Sequence, residues 1–364
     1  MLHRGMMLIL PATCALTLLA CTGGPGQTAA SGTGRTMSRP PGQAGRPAHQ
    51  RPAASAPRSD ITLAFAGDVH FTGRTATLLN DPATAFGPIA SVLRSSDFTA
   101  LNLETAVTSR GTAQPKTYHF RTTPVAFRAL REAGVSLVTL ANNHVLDYGQ
   151  VGLADTLAAA RAAHFPYVGV GVNADAAWAP YVTTINGTTI AVIGVSQVAE
   201  LASSWVATGT RPGEANAIDM TRTLAAVRAA KRLAKIVIVF MHWGTEGMSC
   251  PDVNQLALAP RLAAAGADII IGSHAHELQG SGWLGHTFVA YGMGNFVWWE
   301  NSYSTATGVL ELTLHPNAPL TAHFMPAVVS STGQPIELTG AAAQAAVAHY
   351  ASLRSCARLA SGPT

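Results

Sequence analysis

A chain of 364 residues, 48% apolar and only 12% charged, carries enough apolar material for one large domain or two ordinary ones, which excludes disorder throughout. Its formal net charge of +4 points toward an anionic partner, but the excess is local: six Arg (Arg4, Arg35, Arg39, Arg46, Arg51, Arg58) and no Asp or Glu precede Asp60. The body beyond is close to neutral and has no cluster of Lys and Arg with interleaved aromatics, which argues against nucleic acid as a partner.

Residues 1–20 read as an export signal, with Arg4 near the start and an apolar run too short for a comfortable membrane span. The run ends in Leu18-Leu19-Ala20-Cys21, which resembles a bacterial lipobox. That reading makes Cys21 the lipidated first residue of the mature chain, held at the outer face of a cytoplasmic membrane. An ordinary cleaved signal is the other reading. Residues 21–59, rich in Pro, Gly, Ala, Ser and Arg and without apolar periodicity, read as a disordered linker. Of the four cysteines, Cys14 falls in the signal and Cys21 at the lipid position. In an oxidising compartment the remaining pair, Cys250 and Cys356, reads as a disulfide tying the C-terminal helix to the body. Two buried free thiols are the alternative.

From residue 60 the pattern alternates. Strand-like runs cover 61–68 (ITLAFAGD), 98–104 (FTALNLE) and 135–144 (VSLVTLANNH), and 124–134 and 151–164 read as helices. The stretch 181–196 reads as two strands around Asn186-Gly187, a strong hairpin signal. Helices over 220–234 and 253–267 lead into strands over 235–244 and 268–276; 287–299 and 308–316 are strand-like, and 340–360 is helical. This order predicts an α/β layered fold with mixed sheets: a domain over 60–335 and a terminal helix, 336–364, packed on it.

Residues of one chemical kind recur where the apolar strands stop: Asp68 and His70, Asn102 and Glu104, Asn142, Asn143 and His144 with Asp147 just after, His242, then His274 and His276. Ligands of α/β sheets bind beyond the carboxyl ends of the strands, so five such ends would converge on one crevice. Imidazole, carboxylate and amide together suit hard-to-borderline divalent cations. In an extended segment, i and i+2 share a face, so Asp68/His70 and His274/His276 would each point one way at a shared ion. His164, His286 and His315 read as structural.

The order D-x-H, acidic residue, N-H, lone His, H-x-H resembles the calcineurin-like metallophosphoesterase superfamily. More closely, GDVHFTGR, NLETAV, LANNHVLDYG, HWGTE, GADIIIGSHAHELQ and YGMGNF, spread over residues 61–298, resemble the CapA-like family of poly-γ-glutamate capsule biosynthesis. The resemblance implies a layered αββα sandwich and two divalent ions (Mn, Fe or Zn). It implies that Asp68, His70 and His276 hold one ion and that Asn143, His242 and His274 hold the other, with Glu104 bridging. It implies that His144 protonates a leaving oxygen, oriented by Asp147, and that Arg74 and Asn102 grip an anionic substrate. The CapA-like family often has an apolar residue at the place of His70, and its G-H-H-P-H motif stands here as Gly272-Ser273-His274-Ala275-His276.

Two functions follow as expectations. One is a surface-anchored metal-dependent hydrolase of a phosphoester or of an envelope polymer. The other is a non-catalytic accessory of capsule assembly or export that grips a polyanion. Trp298-Trp299 reads as core or hairpin packing, with an aromatic substrate rim as the other reading.

Overall fold

The computed structural model describes residues 59–364. The expected signal peptide, Cys21 and the linker through residue 58 lie outside the described residues. Among those described, no helix is long and apolar enough to cross a membrane.

Two mixed sheets face one another. The first holds β1 (Ile61–Val69), β2 (Phe98–Leu103), β3 (Leu137–Thr139) and β4 (Tyr167–Val168), all parallel. The second holds β5 (Tyr181–Ile185), β6 (Thr188–Ser196), β7 (Ile236–Trp243), β8 (Ile269–His274), β9 (Ser281–Leu284) and β10 (Thr287–Ala290). There β6, β7, β8 and β10 run parallel, and β5 and β9 close the edges antiparallel. The first sheet is completed by β11 (Asn295–Val297), β12 (Ala306–Leu314), β13 (Thr321–Val329) and β14 (Pro335–Glu337).

The period of two along the strands builds the layers. In β1, Leu63 and Phe65 face the second sheet, where Ile238 and Phe240 of β7 and Ile269 and Ile271 of β8 meet them. Their neighbours Ala64 and Ala66 face the other way, onto α1 (Val125–Glu132) and α2 (Gly149–Ala162) through Phe127, Leu130, Leu153 and Leu157. Likewise Val237, Val239 and Met241 of β7 face α3 (Met220–Leu233) and α4 (Val253–Ala265), meeting Val227, Leu258 and Leu262. The result is the expected αββα sandwich. Each fully buried Leu, Ile or Phe contributes about 1.5–3 kcal/mol of transfer free energy, so the interleaf layer is the main source of cohesion.

Three details depart from the sequence reading. The run 287–299 is not one strand: β10 lies in the second sheet and β11 in the first, so Tyr291–Gly294 is a crossing between sheets. The crossing passes close to β1, and a Cβ on Gly67 would lie 1.8 Å from the Gly294 carbonyl oxygen, so only glycine fits. Strand β3 is shorter than 135–144, because the polar Asn142–His144 segment turns away instead of continuing the ladder. The last helix, α5 (Gly340–Ser352), stops well before residue 360. Its Tyr350 stacks on Phe324 of β13 at 4.0 Å, and the turns after it bring Cys356 to Cys250.

Those two cysteines are bonded, with Cα atoms 5.6 Å apart and a sequence separation of 106. Loss of a link across so long a loop costs about 2–5 kcal/mol in secreted domains. Cys250→Ser is therefore expected to lower the unfolding free energy by about that amount, read as a lower urea midpoint with a slope equal to or steeper than the wild type's, because the unlinked chain unfolds further. An unmoved midpoint would mean that packing alone holds the C-terminal turn.

Candidate metal centre

The carboxyl ends of β1, β2, β7 and β8 meet at one edge of the sandwich. Register lines their polar residues up: Asp68 is opposite both Asn102 and Asn295, and His242 is opposite Ser273. Asp68, Asn102, Glu104, Asn143, His144, His242, His274 and His276 are all buried. Two groups have ligand atoms within 4.8 Å of one another: Glu104 with His274 and His276, and Asp68 with Glu104 and His242. Glu104 belongs to both. Asn143 joins the second group, its Oδ1 lying 2.9 Å from His242 Nε2.

The two groups overlap and do not divide the donors between ions: His274 lies with His276 and Asp68 with His242, while Asp68 Oδ2 is also 3.5 Å from His276 Nδ1 and the His242 and His274 rings are 4.7 Å apart, the two pairings that the motif implies. His70 is in neither group. Its Nδ1 lies 3.2 Å from the Thr72 N–H and its Nε2 3.4 Å from the Trp299 N–H, and its ring stacks on Phe120 at 4.5 Å. Both ring nitrogens thus face backbone amides, and His70 packs beside the donor set. His274, which ends β8, and His276, just past it, also arrive differently. His274 has φ 88° and His276 has φ 56°, so both are left-handed rather than extended. Such a backbone is rare for side-chain-bearing residues and persists where the surroundings over-determine it. Here the His274 N–H donates to Asp68 Oδ2 at 3.2 Å, and His276 Nδ1 meets Asn295 Oδ1 at 2.9 Å.

A frame of polar contacts aims the donors. Asn102 Nδ2 donates to Asp68 Oδ1 at 2.8 Å and Glu104 Oε2 at 3.3 Å, while its Oδ1 accepts from Asn142 at 3.0 Å. Fully buried, Asn102 positions ligands and does not grip substrate as expected. Ser273 Oγ lies 2.9 Å from His242 Nδ1, which leaves Nε2 facing the centre. Arg74 is likewise turned away: its Nε donates to the Trp298 carbonyl oxygen at 3.2 Å and its Nη2 to Asn301 Oδ1 at 2.9 Å.

His144 sits on the turn after β3. Asn142 holds that turn by accepting from the His144 N–H at 3.0 Å. The imidazole Nδ1 meets Asp147 Oδ2 at 2.7 Å, and Nε2 faces Glu104 Oε1 at 3.9 Å. Phe120 stacks on the ring at 4.1 Å, and its N–H donates to the same Asp147 oxygen at 2.6 Å. Behind them lies Lys116, with a side chain only 2% exposed, paired with Asp147 Oδ1 at 3.1 Å and Glu200 Oε2 at 2.9 Å. Sequence reasoning missed Lys116, Phe120 and Glu200. The loop that carries Lys116 and Phe120 has no periodicity, and only the fold brings it over His144.

The electrostatics call for a cation. Burial pushes Glu104 well above the usual carboxylate range, and the nearby Asp68 adds to the effect. Burial holds His274 and His144 well below the ordinary imidazole value, helped by His242 for the first and Lys116 for the second, and pushes His242 down to about 3. Burial opposes charge on His276 too, but Asp68 and Glu104 outweigh it and push it up to about 9. Asp147 is raised to about 6 by burial, against the pull of Lys116. Glu104 Oε1 and His274 Nδ1 are buried without a hydrogen-bond partner. Orphaned lone pairs of this kind are costly unless something electrophilic meets them. Two carboxyl groups, three imidazoles and an amide oxygen form a set that fits Mn, Fe or Zn.

A layered α/β protein with a buried carboxylate–imidazole centre at the shared carboxyl edge of its two sheets is the class that fold and site define. The model of the bacterial capsule synthesis protein family PGA_cap matches residues 62–299, and the chain belongs to that family. The PGA biosynthesis protein CapA of Bacillus subtilis is 32% identical over 243 residues, 65% of this chain and 63% of that one. The capsule biosynthesis protein CapA of Bacillus anthracis is 30% identical over 246 residues, 65% of this chain and 59% of that one. The chain therefore spans about six tenths of the length of these curated relatives. Among solved structures, the NAD nucleotidase of Haemophilus influenzae aligns with a TM-score of 0.46 at 15% identity, over 82% of this chain and 63% of that one.

Proposed function

We propose that this protein is a lipid-anchored, extracytoplasmic hydrolase of capsule or envelope-polymer formation that works with divalent metal. It acts on a phosphoester, or on an amide or ester of such a polymer. The observation that carries this reading is the sharing of Glu104 by two donor groups, with His144 Nε2 facing the same carboxylate. The anchoring rests on Leu18-Leu19-Ala20-Cys21 and the linker that follows.

Asp68, Glu104, Asn143, His242, His274 and His276 are the residues that would hold metal. When bound, a divalent cation supplies Lewis acidity at a phosphoryl or carbonyl oxygen and water of lowered pKa. The chain itself handles the proton. Asp147 accepts from His144 Nδ1–H, which fixes the tautomer and leaves the Nε2 lone pair toward the reacting groups. His144 rests neutral, takes the proton released by the attacking water at Nε2, and delivers it to the leaving oxygen. Its low pKa makes that delivery easy. Lys116 keeps Asp147 ionised for this task, and Phe120 keeps the ring in plane.

The test is the metal content of the full chain beside a His274→Ala/His276→Ala variant. About two equivalents in the wild type are expected, falling by at least one in the variant, together with hydrolysis of a phosphodiester or a γ-glutamyl amide. A wild type that stays empty after incubation with Mn, Zn and Fe would defeat the hydrolase and leave a polymer-binding scaffold.

A further inference from the structure

Over His144 and His276 opens a pocket of about 210 Å³ that the proton chemistry does not use. Its walls are aromatic and acidic. Tyr118, Trp299 and Tyr303 provide ring faces, and Glu246 and Glu300 provide the charge outside the donor set. No Lys or Arg is among its described lining residues. The two cations closest in role are committed elsewhere: Arg74 to Trp298 and Asn301, and Lys116 to Asp147 and Glu200.

The aromatics are placed as surfaces for contact. Tyr118 and Tyr303 are 56% and 57% exposed, unusual for large rings beside a buried centre. Tyr118 and Trp299 meet at 6.4 Å with an interplanar angle of 63°, forming a corner of two faces. Tyr303 lies parallel to His276 at 6.0 Å, and its hydroxyl donates to Glu246 Oε2 at 2.9 Å, which fixes that carboxylate at the wall. Ring faces carry negative potential, and carboxylates beside them add to it, so a positive group is attracted and an anion is repelled.

We propose that this pocket is a subsite for an ammonium group carried by the substrate next to its scissile bond. The inference deepens the hydrolase reading and rests on it for the word substrate. A polyanion threading past the mouth would meet two carboxylates, while the one basic group on the wall, His276, is paired inward with Asp68 at 3.5 Å. A substrate whose reacting group is polar or anionic and whose neighbouring group is an amine satisfies both the centre and its rim.

Binding can be read without metal and without turnover. The intrinsic fluorescence of the full chain is titrated at fixed ionic strength with n-butylammonium, n-butanol and butyrate. The expected result is saturable quenching by butylammonium alone. Its Kd should rise at least tenfold in Glu246→Gln/Glu300→Gln, and severalfold in Tyr303→Phe, which frees the Glu246 carboxylate. Equal binding of butanol or butyrate, or an unchanged Kd in the double variant, overturns the proposal. Tyr303→Phe keeps both carboxylates, so it tests the pocket independently of any folding defect in the double variant. Failure here leaves metal content and hydrolysis of unsubstituted esters untouched, whereas failure of the hydrolase reading appears as an empty or inert protein that still binds the amine.

Discussion

Glu104→Gln is expected to empty both donor groups at once, whereas His242→Ala empties only one. The reason is membership: Glu104 is the single carboxylate common to the two triads. Even residues that merely support ligands change metal affinity by about 10–100-fold, so loss of a shared ligand should exceed that range. The measurement is metal content after dialysis against a chelator and reloading. Stability gives a second readout of opposite sign. Glu104 is buried, and its carboxyl lies well above the usual range because burial and Asp68 disfavour its charge. A carboxyl raised on folding makes stability fall as pH rises from its unfolded value toward its folded one. The neutral glutamine escapes that loss. Metal-free Glu104→Gln should therefore melt no lower than the metal-free wild type at neutral pH, while the loaded wild type should melt higher than both. A variant that loads like the wild type would remove Glu104 from the centre.

His144→Ala should keep its metal and lose most of its turnover, by about 10²–10⁴-fold. The size of the loss should depend on the leaving group. A p-nitrophenyl ester departs without a proton, so its hydrolysis should lose only the base step at Nε2 and fall less. An alkyl ester needs the proton, so its hydrolysis should fall by the full factor. A purely structural role for His144 would depress both equally, and that is the outcome that would remove it from proton transfer. Asp147→Asn should fall between, because Phe120 still stacks on the ring while the partner of Nδ1 at 2.7 Å is weakened.

Much of this centre is legible from strand ends alone. Apolar runs that stop in Asp, Asn, Glu or His announce a shared crevice, since parallel strands of a layered fold end together. The alternation inside β1 and β7 likewise announces two covered faces. What the sequence does not carry is direction. Arg74 looks like an anion clamp until its guanidinium is found on Trp298 and Asn301. Asn102 looks like a substrate contact until it is found bracing Asp68 and Glu104. His70 obeys the D-x-H spacing, yet a register shift in β1 between Phe65 and Asp68 and the change of partner from β12 to β11 break the extended geometry on which that spacing relies. Lys116 is invisible for the opposite reason: a lone lysine in a polar loop is usually solvated, and only long-range packing buries it beside Asp147.

The donors are divided between the sheets, and this has a consequence in time. Asp68 and Glu104 come from the first sheet, and His242, His274 and His276 from the second. During synthesis the oxygen donors Asp68, Glu104 and Asn143 exist long before the imidazoles, and neither triad is complete until the second sheet has been made. A cation requiring these ligands is thus a late arrival, captured only when the two leaves have closed on each other. It would act as a rivet rather than a nucleus, and removing it should loosen the seam between the leaves before it disturbs either leaf alone.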